Sequence, residues 1–157
     1  KLITNIQKVI EQTPEDTVFI AENAGTRKIG TTLEELGNIV RDVNHERLKI
    51  CLDTCHLHAA GYDLSSRKKF DEFFLEFDKI IGLEKLEVIH VNDSRDPFGS
   101  NRDRHENIGE GQISSEVFKS LVNSPITQDI PLILEVPGFD KKGPDKKNLD
   151  ILKSYIQ

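Results

Sequence analysis

Four short apolar runs punctuate the chain, and each is followed by a longer stretch whose apolar residues recur at helical spacing. "TVFIAE" precedes "TTLEELGNIVRDV", in which Thr32 can cap a helix carrying Leu33, Leu36, Ile39, Val40 and Val43 on one side. "LKICLDT" precedes "SSRKKFDEFFLEFDKIIG", whose Phe70, Phe73, Phe74, Phe77, Ile80 and Ile81 form one broad apolar face ended by Gly82. "LEVIHVND" is followed, after a long polar loop, by "SSEVFKSLV", and "IPLILEVP" by "KKNLDILKSYI". Strand then helix is the repeated unit, and the opening "KLITNIQKVIEQ" adds a helix in front.

Near-continuous apolar strands alternating with amphipathic helices predict an α/β fold with a parallel sheet covered by helices, either doubly wound or part of a barrel. Both architectures gather ligands at the carboxyl ends of their strands. Those ends carry Glu22, Asp53, His90 and Glu135. One acid at a strand exit is ordinarily solvated or salt-bridged. Four successive ends bearing a carboxylate or an imidazole would repel one another unless positive charge lay between them.

Two further segments enlarge this set. In "CLDTCHLHAAGYD", Asp53 ends the strand and His56 follows in the loop. In the long loop, Asp103-Arg104-His105 reads as extended chain, where residues two apart point the same way, so Asp103 and His105 can grip one ion while Arg104 projects oppositely. Carboxylate oxygen with imidazole nitrogen suits zinc, with manganese or iron as alternatives. Seven candidate ligands exceed the roughly four that one zinc takes, which implies more than one metal. Cys51 and Cys55 lack a second cysteine pair and read as small core residues. His45 and His58 read as surface or capping residues, and Gly99 to Gly111 lacks phosphate-loop spacing.

Composition adds limits. A chain of 157 residues is expected to form a single domain over 1-157. No apolar run approaches the ~18 residues of a membrane span, so no membrane partner is expected. The first residues lack the core of a signal peptide, and a start without Met inside a helix suggests a beginning within a domain. Two cysteines point to a reducing compartment, and a cytoplasmic location is expected. The formal net charge of -6 argues against a non-specific nucleic-acid binder, unless several acids hold cations that reverse the local field.

"AENAG", "CLDTCHLHAAGYD", "IHVNDSRDPFGSNRDRHENIGEGQI" and "PLILEVP" resemble, in order, four signature segments of the endonuclease IV family of zinc-dependent apurinic/apyrimidinic endonucleases. The resemblance implies about the last five βα units of a TIM (β/α)8 barrel, four of them with complete strands, against the ~250 residues of a whole barrel. It implies up to three zincs: Glu22 bridges two, Asp53, His90 and Glu135 share the second with it, and His56, Asp103 and His105 hold the third. Glu135, positioning metal and nucleophile, and Glu22 are then the catalytic residues, and Arg104 is a phosphate contact. The implied reaction is hydrolysis of the phosphodiester on the 5′ side of an abasic site in duplex DNA, as in base excision repair. The sequence departs from the family in two places. The two histidines that complete the first zinc come from strands with no counterpart before "TVFIAE", and "ENAGTRKIG" is shorter than the family's loop and carries Arg27 and Lys28.

Two rivals remain. A metal-dependent sugar isomerase or epimerase of similar barrel type also gathers Glu, Asp and His around a divalent ion, but has no need of the D-R-H triplet. An incomplete, non-catalytic metal-binding fragment would hold fewer than three zincs and associate through its open barrel edge with a complementary segment or a second copy.

Overall fold

A computed structural model describes residues 1–157. Helix α1 (Leu2–Gln12) leads into strand β1 (Phe19–Glu22), helix α2 (Leu33–Val43), strand β2 (Leu48–Asp53) and the short helix α3 (Thr54–Ala60). Helix α4 (Arg67–Ile80), strand β3 (Leu86–His90), the two-residue strands β4 (Asp93–Ser94) and β5 (His105–Glu106), helix α5 (Ser115–Asn123), strand β6 (Leu132–Ile133) and helix α6 (Lys146–Ser154) follow. No helix is long and apolar enough to cross a membrane.

The main sheet is parallel throughout, in the order β1-β2-β3-β6. Strand order therefore follows chain order without reversal, and consecutive helices pack on one another: α1 on α2, α2 on α4, α4 on α5, α5 on α6. A doubly wound sheet reverses its strand order at a switch point; a barrel does not. The molecule is an arc of a barrel with its helices outside.

The core lies between sheet and helices. Phe70, Phe74 and Phe77 of α4 are fully buried against Ile50, Leu52 and Ile89 of the strands. Phe70 and Phe74 have ring centroids 4.7 Å apart, and Phe73 meets Phe74 edge-on at 5.3 Å. Each such burial contributes roughly 1.5–3 kcal/mol. Gly37 lets α2 approach α4, since a Cβ there would sit 2.6 Å from Ile80 Cγ2. Thr32 caps helix α2 as the pattern predicts, and Glu35 answers it in a reciprocal capping box that the reading did not include. The inner face of the arc is different: Ile20 of β1 and Ile133 of β6 are 41% and 47% exposed.

Three local expectations change. The residues after Asp53 form α3 rather than a loop, because the Asp53 side chain accepts the Cys55 and His56 amides and so caps a helix starting at once. The long polar loop contains the antiparallel pair β4–β5, with Asp93 opposite Glu106 and Ser94 opposite His105. "IPLILEVP" pairs only at Leu132 and Ile133, so Glu135 stands two residues beyond the ladder.

Candidate metal centre

Parallel strands bring their carboxyl ends to one rim. Register sets Glu22 opposite Cys51, Asp53 opposite His90, and His90 opposite Ile133. One ligand atom from each of Glu22, Asp53, His90 and Glu135 lies within 4.8 Å of the others. His90 Nδ1 is central to them, 3.2 Å from Glu22 Oε1, 3.1 Å from Glu135 Oε2 and 3.9 Å from Asp53 Oδ2. Beside this group stands a second. His56 Nε2 and His105 Nε2 approach the same oxygen, Asp103 Oδ1, at 3.1 and 3.3 Å, and the two rings are 5.8 Å apart.

Hydrogen bonds to the main chain fix how the imidazoles face. His56 Nδ1–H donates to the Asn23 carbonyl at 2.7 Å, and His105 Nδ1–H donates to the Glu135 carbonyl at 3.3 Å. A carbonyl only accepts, so each Nδ1 carries a proton, and each Nε2 faces the site as the nitrogen that can take a proton or a cation. His105 Nε2 is buried without a hydrogen-bond partner, 3.3 Å from Asp103 Oδ1 and 3.6 Å from Asp53 Oδ2. A lone pair aimed at carboxylate oxygens is stable only with a proton or a cation between them. The donors fit divalent ions, and this orientation of the histidines is the one that metal ligation requires.

Burial raises the Glu22 pKa, with Asp53 and Glu135 adding to the effect and His56 and His90 opposing it. At His56 burial works downwards, but Asp53, Asp103, the Asn23 carbonyl and Glu22 outweigh it and the pKa is raised. Cys51 and Cys55 also lie near the two groups, yet burial pushes both thiols up to about 12. They stay protonated core residues, as the sequence suggests.

Other residues hold the rim in place. Asn23 accepts from the Asp53 main-chain N–H through Oδ1 at 2.6 Å, and Asn92 donates to Asp53 Oδ2 at 2.7 Å. Gly25 sits against His56, where a Cβ would fall 2.7 Å from Cδ2. Buried Asp93 accepts the amides of Gly109, Gly111 and Ile113; burial raises its pKa, against the pull of those amides. Arg104, expected as a phosphate contact, is half-exposed and has a protein partner of its own. Its guanidinium grips both oxygens of Asp96, which is 3% exposed and has Arg102 Nη1 as a second, more distant cation at 3.6 Å. A buried carboxylate needs such a partner, and Arg104 lowers its pKa. The clamp turns Arg104 away from Asp103 and His105, as alternation along the chain predicts. His58, expected at the surface, is half-buried, with its Nε2 3.2 Å from the Asp96 carbonyl and its ring edge-on to Phe98. His45 caps a turn, accepting the Arg47 amide. Asn23, Asn92, Asp93 and Asp96 escape the sequence reading; the clustering of Asn and Asp beside two strand ends is the one signal that points to them.

Residues 1–155 match the family model described as Xylose isomerase-like TIM barrel. A protein of Oceanobacillus iheyensis named "Probable endonuclease 4" is 42% identical over 160 residues, a match that covers 98% of this chain and 53% of that protein. Among solved structures, endonuclease IV from Thermus thermophilus superposes with a TM-score of 0.83 at 31% identity, over 98% of this chain and 56% of the other. A D-tagatose 3-epimerase-like protein superposes at 0.69 with 26% identity, over 98% and 51%. The chain spans about half the length of the relatives it matches. With strands, rim and donors in that arrangement, the chain belongs to the Xylose isomerase-like TIM barrel family, in the branch of the endonuclease IV proteins.

Proposed function

We propose that this chain carries the metal-binding part of an endonuclease that hydrolyses the phosphodiester 5′ to an abasic site in duplex DNA. The observation that carries this reading is the second donor group: Asp103 Oδ1 flanked by His56 Nε2 and His105 Nε2, beside the group of Glu22, Asp53, His90 and Glu135. A single-ion site needs only the first group. Adjacent ions suit in-line displacement at phosphorus, where attacking and leaving oxygens both need charge stabilisation. Divalent ions bound there would polarise the phosphodiester and make a water acidic enough to act near neutral pH.

The protein's own part is placement. Glu22 and Glu135 flank His90 and stay partly exposed, so a phosphate could reach them. The Asn23 and Glu135 carbonyls keep the imidazoles of His56 and His105 aimed inward. Arg102 and Arg104, 67% and 53% exposed on the same loop as Asp103, both pair with Asp96 and are the cations nearest the site that a DNA phosphate would meet. Cations at the rim would offset the acidic balance where DNA must come close.

The sugar-epimerase reading stays second, supported by the epimerase-like neighbour and by the sufficiency of the first donor group for one ion. The deciding experiment incubates the zinc-loaded protein with duplex DNA bearing a tetrahydrofuran abasic analogue, and separately with ketoses. Nicking on the 5′ side, lost on chelation and reduced roughly 100-fold or more by Asp103→Asn, is expected. Ketose turnover without nicking reverses the ranking, and metal uptake with neither activity identifies a non-catalytic fragment.

A further inference from the structure

Asn92, just past β3, is wholly buried, belongs to neither donor group, and bonds directly to two members of the first, Asp53 and Glu135, whose further contacts reach His56 and His105 of the second. Its side chain bonds in two directions, donating from Nδ2 to Asp53 Oδ2 at 2.7 Å and accepting the Glu135 main-chain N–H on Oδ1 at 2.8 Å. Its main chain is pinned as well: Thr54 Oγ1 accepts the Asn92 N–H at 2.8 Å and donates to the Asn92 carbonyl at 2.6 Å. The contacts continue outward on both sides. Asp53 Oδ1 accepts the Cys55 and His56 amides, and the Glu135 carbonyl accepts His105 Nδ1–H.

We propose that Asn92 is the positioning residue that fixes the two metal-ligand groups relative to each other, an inference that rests on the metal-centre reading above. Its chemistry is specific. Asp53 offers only acceptors and the Glu135 amide only a donor, so the residue between them must donate on one side and accept on the other. A carboxamide does both; a carboxylate would set two anions face to face, and an aliphatic side chain would leave both partners unsatisfied. By occupying one lone pair of Asp53 Oδ2, Asn92 steers the remainder of that oxygen towards His90 Nδ1 and His105 Nε2, 3.9 and 3.6 Å away. Through Glu135 it also sets the carbonyl that selects the His105 tautomer.

The test titrates the 157-residue chain with Co2+, following calorimetry and visible absorption, for wild type, Asn92→Asp, Asn92→Leu and, as control, Asn38→Asp on the exposed side of α2. Both Asn92 variants should lose roughly 10- to 100-fold in Co2+ affinity at both groups, with an altered absorption spectrum at saturation, while Asn38→Asp matches wild type. Simple destabilisation would leave the saturated spectrum unchanged. Affinities within twofold of wild type, an unchanged saturated spectrum, or loss at one group alone overturns the proposal. Wild type that takes up no Co2+ overturns the metal-centre reading and this inference with it. Where the variants do not fold, wild type suffices: exchange of the Asn92 side-chain amide protons should slow on addition of Zn2+, and rapid exchange in the loaded protein overturns the proposal.

Discussion

At the rim, two kinds of buried polar residue behave in opposite ways. Cys51 and Cys55 lie close to carboxylates in a desolvated layer, and both effects hold the thiol form, with pKa values up to about 12. Almost no molecule would carry either thiolate near neutral pH, so the native protein should resist iodoacetamide and react fully once unfolded in guanidinium. Mass spectrometry of the alkylated chain measures this; rapid native labelling would show that the layer opens. Asp96 is the reverse case, a buried carboxylate kept ionised by Arg104. Asp96→Asn keeps the volume and removes the charge, so the segment carrying Asp103 and His105 should loosen. The expected result is weaker Zn2+ binding by the second group, read by calorimetry, with the Glu22 group retained. The donors themselves were legible in the sequence because acids at the ends of apolar runs are conspicuous. Their supports were not: an Asn such as Asn23 or Asn92 acquires meaning only when the neighbouring strand end is known, 30 to 39 residues away.

Among the elements, the longer periodic ones matched expectation and the short ones did not. Helix α4 announces itself through its phenylalanines, and α2 through Thr32 and the spacing of Leu33, Leu36, Ile39 and Val43. Thr32→Ala removes a side chain that accepts the Glu35 amide, and should lower stability by about 1 kcal/mol in a urea titration, with little change in slope. An unchanged midpoint would mean that tertiary contacts alone hold the first turn of α2. Helix α3 has only seven residues and starts directly at the strand's last residue, so no polar break separates the two. The pair β4–β5 contains two residues per strand, too few for any alternation to register. In β6 the apolar run is longer than the ladder, because only β3 pairs with it and a single neighbour defines little of its length.

For the molecule as a whole, the open arc matters most. β1 and β6 are both edge strands, and the sheet face on the side of the donors carries Ile20 and Ile133 well exposed. A groove of about 630 Å³ lined by Leu2, Ile6, Phe19, Ile20, Ile29 and Leu36 runs beside β1. Unpaired edges with apolar side chains promote association. The chain is therefore expected to show a molar mass that rises with concentration in light scattering. The double variant Ile20→Lys, Ile133→Lys should shift it towards monomer, and a constant monomer mass for the unaltered chain would contradict this. The βα repeat made a parallel sheet covered by helices legible but left barrel and doubly wound sheet open; in-order strand pairing decides for the barrel that the family resemblance implies.

Asp53 divides its two oxygens between different tasks: Oδ1 receives the amides that start α3, and Oδ2 faces the imidazoles. Exchange for glutamate would preserve the charge and still be severe, since the longer arm cannot serve both tasks from the same backbone position. If a cation is held by Oδ2, its binding and the ordering of α3 would be linked through the one side chain they share.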